Sequence, residues 1–122
     1  MKNKRRVEQL YFLLAVALSI FLLFACIISV WINHESSRLC LTAQWQYGGD
    51  CTEALTSQLH DEAQGFRNRN HAIWALGRLA DGRAIPALEQ YYTGVIPDRE
   101  PLDTTISQYE LKKAINLVMR RL

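Results

Sequence analysis

The sequence predicts an all-α protein in which a single N-terminal transmembrane helix precedes a short domain of about four helices. Three observations carry that expectation. Residues 10–32 form an uncharged apolar run. Beyond residue 51 the apolar residues recur at spacings of three and four, the period of a helix with one buried face. Two helix starts are marked by capping pairs, Asp50 with Glu53 and Ser107 with Glu110.

The chain of 122 residues opens with a basic tail, residues 1–9, holding Lys2, Lys4, Arg5 and Arg6. Leu10 to Ile32 then reads LYFLLAVALSIFLLFACIISVWI, twenty-three residues with no charge and two serines. As a helix this run spans about 34 Å, enough to cross a hydrocarbon core of about 30 Å once. A cleaved secretory signal shares the basic start, but its apolar core is only about 7–15 residues long and ends at small residues. Leu23-Phe24-Ala25-Cys26 resembles a lipoprotein processing site only loosely, because Phe24 is bulky and Ile27 to Ile32 stay apolar.

Orientation follows from the flanks. The fifteen residues after the run carry Arg38 as their single cation, offset by Glu35. The positive-inside rule therefore predicts a cytoplasmic N-terminus and an extracytoplasmic C-terminal domain, periplasmic in a bacterial inner membrane. Tyr11 and Trp31 fall near the two headgroup regions, where amphipathic rings are favoured. Cys26 lies within the span as a small apolar residue with no chemistry implied.

From residue 33 onward ten Lys or Arg stand against eleven Asp or Glu, a net charge of −1. That balance excludes the basic stripe of a nucleic-acid-binding domain, so no nucleic-acid partner is expected. So small a domain buries only about 60% of the surface its unfolded chain exposes, and support from a cross-link or a partner is expected.

Residues 33–50 are polar with scattered apolar positions and are expected to form a linker. Gly48-Gly49 signals a turn and Asp50 an N-cap, so a helical domain over 51–122 should begin at about Cys51. Cys40 and Cys51 have ten residues between them and, on the topology above, face an oxidising compartment. They are candidates for a disulfide, which would stabilise by up to about 3 kcal/mol. Two unrelated buried thiols are the other reading. His34, His60 and His71 show no metal-ligand spacing with either cysteine, so no metal is expected.

Thr52 to Gln64 places Ala54, Leu55, Leu59 and Ala63 on one helical face, with Gly65 at its end. From Arg67 a second helix carries Ile73, Leu76 and Ala80, while Ala72, Ala75 and Leu79 widen its apolar face toward two neighbours. Asp81-Gly82 breaks it. A third helix presents Ile85, Leu88, Tyr91 and Tyr92, with Pro86 in its first turn, where backbone N–H groups lack intrahelical partners; Gly94 ends it. Residues 95–105, with Pro97 and Pro101, read as a long ordered loop. The last helix starts at Ser107 and aligns Leu111, Ala114, Ile115, Val118 and Leu122.

The stretch Ala75-Leu76-Gly77-Arg78-Leu79-Ala80-Asp81-Gly82-Arg83-Ala84-Ile85-Pro86-Ala87-Leu88 resembles the HEAT-like repeat of the class named after phycobilisome lyases, whose A-L-G-x-L-G-D-x-x-A-I-P-x-L core joins two antiparallel helices. Arg69 falls where the family often has an arginine. The departures are Asn68, where the pattern prefers an apolar residue, and Ala80 in place of a glycine. The resemblance implies a HEAT-like domain of about two repeat equivalents, with Cys51 to Ala63 closing a preceding repeat and Ser107 to Leu122 opening a following one. The lyase activity of some members does not transfer with the fold.

No catalytic set emerges: there is no paired histidine and nucleophile motif, no H-E-x-x-H, no C-x-x-C, and no phosphate loop beyond Gly48-Gly49. No catalytic activity and no cofactor are expected. His71 and Asp61-Glu62 read as exposed helix positions. Lys112, Lys113, Arg120 and Arg121 fit a solvated face, with the last two complementing the helix dipole, or else a site for anionic lipid or an acidic partner. Arg67 and Arg69 begin their helix, where the dipole disfavours cations, and Tyr91 and Tyr92 are adjacent and cannot both point into one core. These four residues are the candidate contacts for a partner, with at least one tyrosine expected to be exposed. Besides the membrane, that partner is a second protein or a second copy of the chain. Two functions fit: an interaction module, and an accessory subunit assembled through its membrane helix.

Overall fold

The computed structural model describes residues 2–122, and its regular structure is entirely helical. Five α-helices follow one another: α1 (Lys2–Tyr47), α2 (Cys51–His60), α3 (Phe66–Leu79), α4 (Ile85–Tyr91) and α5 (Gln108–Arg121), with a 3-10 turn, Gly82–Ala84, leading into α4. The chain divides after Glu35 into two units, the N-terminal part of α1 and Ser36–Leu122.

In the first unit α1 is long and apolar enough to cross a membrane. The two serine hydroxyls inside its apolar run are satisfied without leaving the helix, since Ser19 and Ser29 each donate to the carbonyl four residues back, on Ala15 and Ala25, at 2.9 Å. A spanning helix in hydrocarbon requires that economy of polar groups.

The expected linker is not one. Helix α1 runs through residues 33–47, and its last turns belong to the second unit, where Cys40 and Ala43 are buried and Leu39 and Tyr47 pack against the core. Core-facing positions at 40, 43 and 47, the last partly buried, follow helical spacing, and a core this small gains from the added surface. The turn comes only at Gly48 and Gly49, both at positive φ, 75° and 77°, where a side chain would be strained. Cys40 and Cys51 form a disulfide across that turn, with their Cα atoms 5.2 Å apart.

Helix α2 starts as read: the Asp50 carboxylate accepts the Glu53 N–H at 2.9 Å. It stops five residues short of Gly65, because Asp61 turns away from the helix to accept the Ala63 N–H and the Tyr47 hydroxyl. Ala63, expected on the buried face, is exposed. A short polar side chain that bonds its own backbone competes with the helix in this way.

Helix α3 packs on both α2 and α5, as its broad apolar face requires. Ala72, Ile73, Ala75 and Leu76 are fully buried, whereas Leu79 is partly open to solvent. The close contact with α5 depends on Gly77: a Cβ there would stand 2.9 Å from both Cα and Cβ of Ala114. Helix α3 ends at Ala80, which holds the left-handed conformation at φ 52° normally left to glycine. Pro86 lies in the first turn of α4, and α4 ends at Tyr91, three residues before Gly94. Helix α5 starts at Ser107 as expected and buries Leu111, Ala114 and Val118 against α3 and α4, while Leu122 stays exposed.

Candidate partner-binding surface

Of the four candidate contact residues, two turn inward. Arg69 is 7% exposed. Its Nε donates to the Leu59 carbonyl at 2.8 Å, and its guanidinium lies 5.5 Å from the ring centres of both Phe66 and Tyr91. The arginine thus caps the open carbonyl end of α2, where a cation also meets the negative end of the dipole. Tyr91 completes this arrangement, its hydroxyl 2.9 Å from His60 Nδ1 and its carbonyl accepting from the Gln108 side chain at 3.0 Å. Tyr92 is half-buried against the core. Both tyrosines are thus partly covered where at least one was expected to be exposed, because His60 on α2 gives Tyr91 a polar partner and Arg69 on α3 sets a cation over its ring. Arg67 is exposed and pairs with Asp103 at 3.0 Å, joining α3 to the long loop.

That loop is held by residues the sequence reading passed over. Asn70, 5% exposed, donates its amide to the carbonyls of Leu102 and Thr105 at 3.1 and 3.0 Å and accepts the Ser107 N–H at 2.8 Å. Glu100 lies across the start of α5, accepting the Ser107 hydroxyl and the N–H groups of Gln108 and Tyr109. A carboxylate at a helix N-terminus satisfies orphan donors and opposes the positive end of the dipole. The Ser107 hydroxyl in turn accepts the Glu110 N–H at 3.1 Å, as the capping pair predicts. Asn70 meets the Ser107 backbone N–H, so the Glu110 carboxylate is not needed for that bond.

A charged knot closes the junction of α2 and the 3-10 turn. Arg83 donates to Asp81 at 2.7 Å and to Asp50 at 2.9 Å, and Thr52 donates to Asp81 at 2.9 Å. The Arg83 guanidinium, with the Arg83 backbone N–H and the Thr52 hydroxyl, holds the Asp81 carboxyl well below the usual carboxylate range. The Asp50 carboxyl is lowered first by the Glu53 N–H it caps and then by Arg83. Asp61 is lowered chiefly by the Tyr47 hydroxyl, while burial and Asp61 push the Tyr47 phenol up. These groups serve the fold. Among the described residues no group of three or more His, Cys, Asp and Glu is placed to hold a metal ion.

The domain opens in two places, a broad cleft of about 350 Å³ beside the loop before α5, bordered by Ile96, Pro97, Leu102 and Tyr109, and a shallower line where α3 meets α5. Two adjoining clefts run along that line and share Arg78 and Leu117: one is bordered by Trp74, Glu110 and Lys113, the other by Gly77, Ala80 and Arg121. Trp74 and Leu117 are half-buried, and Arg78, Lys113 and Arg121 are exposed. The basic cluster of the sequence is therefore divided, Lys113 and Arg121 facing the clefts together with Leu117 at helical spacing. Spacings of four and eight residues in α5 carry that signal, but Trp74 and Arg78 join it only through the packing of two helices distant in sequence. Separately, the final turns of α1 expose Leu41 at 66% and Trp45 at 93%.

No protein-family model, no curated protein and no solved structure matches the chain.

Proposed function

We propose that the chain is a membrane-anchored interaction module, a scaffold or adaptor without chemistry of its own, whose HEAT-like helices bind another protein on the extracytoplasmic side. The observation that supports this reading is the α3–α5 line, where Trp74 and Leu117 stay half-exposed between the cationic side chains of Arg78, Lys113 and Arg121. Repeats of this kind bury their end faces against neighbours, about three units being needed, and this chain supplies about two. The basic tail favours the orientation with the N-terminus in the cytoplasm.

A second reading, an accessory subunit assembled mainly through its membrane helix, is favoured by Leu41 and Trp45, which extend the apolar surface of α1 past the span. Photo-crosslinking residues placed singly at Phe21, Trp45, Leu102 and Leu117 of the full-length chain in native membranes separate the two. The module reading expects protein crosslinks from Leu117 or Leu102. Crosslinks confined to Phe21 and Trp45 would overturn it in favour of the accessory subunit.

A further inference from the structure

We propose that the α3–α5 groove binds an acidic, partly apolar peptide segment of a partner protein, its carboxylates on Arg78, Lys113 and Arg121 and an apolar side chain between Trp74 and Leu117. The inference rests on the module reading above and deepens it by naming the surface and the chemistry of its occupant.

The groove exists because Gly77 lets the two helix backbones touch, so that the longer side chains on either side stand up as walls. Its floor is apolar: Gly77 is buried and Ala114 is 2% exposed. Its walls are cationic, with Arg78 on α3 and Lys113 and Arg121 on α5 against the single carboxylate of Glu110. This local excess runs against a domain whose net charge is −1. Charge complementarity therefore selects an acidic partner, and the apolar floor selects one that also brings hydrocarbon.

Three arginines of the domain have partners inside it: Arg83 has Asp81 and Asp50, Arg67 has Asp103, and Arg69 has the Leu59 carbonyl. Among the described residues Arg78, Lys113 and Arg121 form no ion pair. Arg78 instead lies 5.6 Å over the Trp74 ring and Lys113 5.5 Å over the Tyr109 ring. Stacking fixes these cations in place while leaving their N–H donors for a ligand. The helix dipole accounts for a cation in the last turn of α3 and of α5, but Lys113 is in the middle of α5, where the dipole has no preference. From Glu110 to Arg121 the groove is about 16 Å long, the reach of about five extended residues. A row of cations of that length beside the half-buried Trp74 and Leu117 suits an extended peptide better than a single lipid headgroup.

The test uses the full-length chain in nanodiscs of neutral lipid and a fluorescent synthetic peptide alternating Glu and Leu, with a Lys and Leu peptide of equal length as its counterpart. The acidic peptide should bind and the basic one should not. Lys113→Gln with Arg78→Gln should weaken binding about tenfold, whereas Lys112→Gln with Arg120→Gln, the same change of charge outside the groove, should leave it unaltered. Leu117→Ala should weaken binding with no change of charge, and circular dichroism of each variant checks that the helices remain. Equal loss from both double variants, equal binding of the two peptides, or no binding at all would overturn the proposal. Tighter capture of vesicles containing phosphatidylglycerol than of the acidic peptide, lost in the Arg78 and Lys113 variant, would also overturn it in favour of a lipid site. Should native-membrane crosslinks arise from Leu102 and never from Leu117, the groove fails while the module reading stands.

Discussion

A methyl group on Gly77 would stand 2.9 Å from Cα and Cβ of Ala114, closer than side chains approach in folded proteins. The third residue of the A-L-G stretch is thus the contact point of α3 and α5. Gly77→Ala should destabilise the domain by about 1 kcal/mol, since an overpacking cost of about 2 against the Ala114 backbone exceeds the gain in helix propensity of about 1. Urea unfolding followed by circular dichroism measures it. An alanine variant as stable as the parent would mean that the two helices separate without penalty.

Ala80 presents the opposite case. It occupies the left-handed region at φ 52°, where its Cβ costs roughly 1–2 kcal/mol and glycine costs nothing beyond chain entropy. Ala80→Gly should stabilise the domain by about 0.5–1 kcal/mol, read from the same urea midpoint. A loss of stability instead would show that the methyl group makes a compensating contact.

The bridge between Cys40 and Cys51 closes a loop of eleven residues. Replacing both cysteines with alanine should cost about 2–3 kcal/mol on the chain-entropy model. Mass spectrometry of non-reduced peptides from freshly isolated membranes should recover the two linked. Free thiols at both positions would place the domain in a reducing compartment and reverse the proposed orientation.

Acid should loosen the junction of α2 and the 3-10 turn. The Asp81 carboxyl is held well below its unfolded value, near 3.9, chiefly by Arg83, and Asp50 and Asp61 shift the same way. A depressed native pKa means that the unfolded chain takes up protons first as pH falls. The stabilisation is therefore complete above about pH 5 and declines as the pH drops through the carboxylate range. Asp81→Asn should flatten that decline in urea midpoints taken from neutral pH downward. Because Arg83 is largely exposed, the effect should also shrink in high salt. Identical acid profiles for the two proteins would leave the knot without a role in stability.

What the sequence made legible was local. The Asp50 and Ser107 caps, the apolar run and the placement of Pro86 each depend on neighbours within a turn, and each is where the reading put it. The failures depend on residues far apart. Polar residues over 33–38 hid the continuation of α1, although Cys40, Ala43 and Tyr47 already had helical spacing. The early stop of α2 needs Tyr47 to hold Asp61 at 2.6 Å from fourteen positions away. Tyr91 and Arg69 were read as surface residues because each looks amphipathic alone; together with His60 and Leu59 they satisfy one another. The α3–α5 surface was half visible, Lys113 and Arg121 in a cluster and Trp74 unremarked, since only the contact at Gly77 brings the two halves side by side.

Asn70 makes the connection between α4 and α5 depend on the polarity of a single amide. Its side chain presents NH2 to two carbonyls and oxygen to one N–H, so the position of sixteen residues, 92–107, is tied to which of two nearly identical atoms is which. Aspartate in its place exchanges that NH2 for an oxygen and sets a negative charge against the carbonyls of Leu102 and Thr105, while the bond to the Ser107 N–H survives. A chain carrying Asn70→Asp would keep its helices and its bridge and release the loop from α3, so that cleavage after the exposed Arg99 by a trypsin-like protease would quicken long before the domain as a whole unfolds.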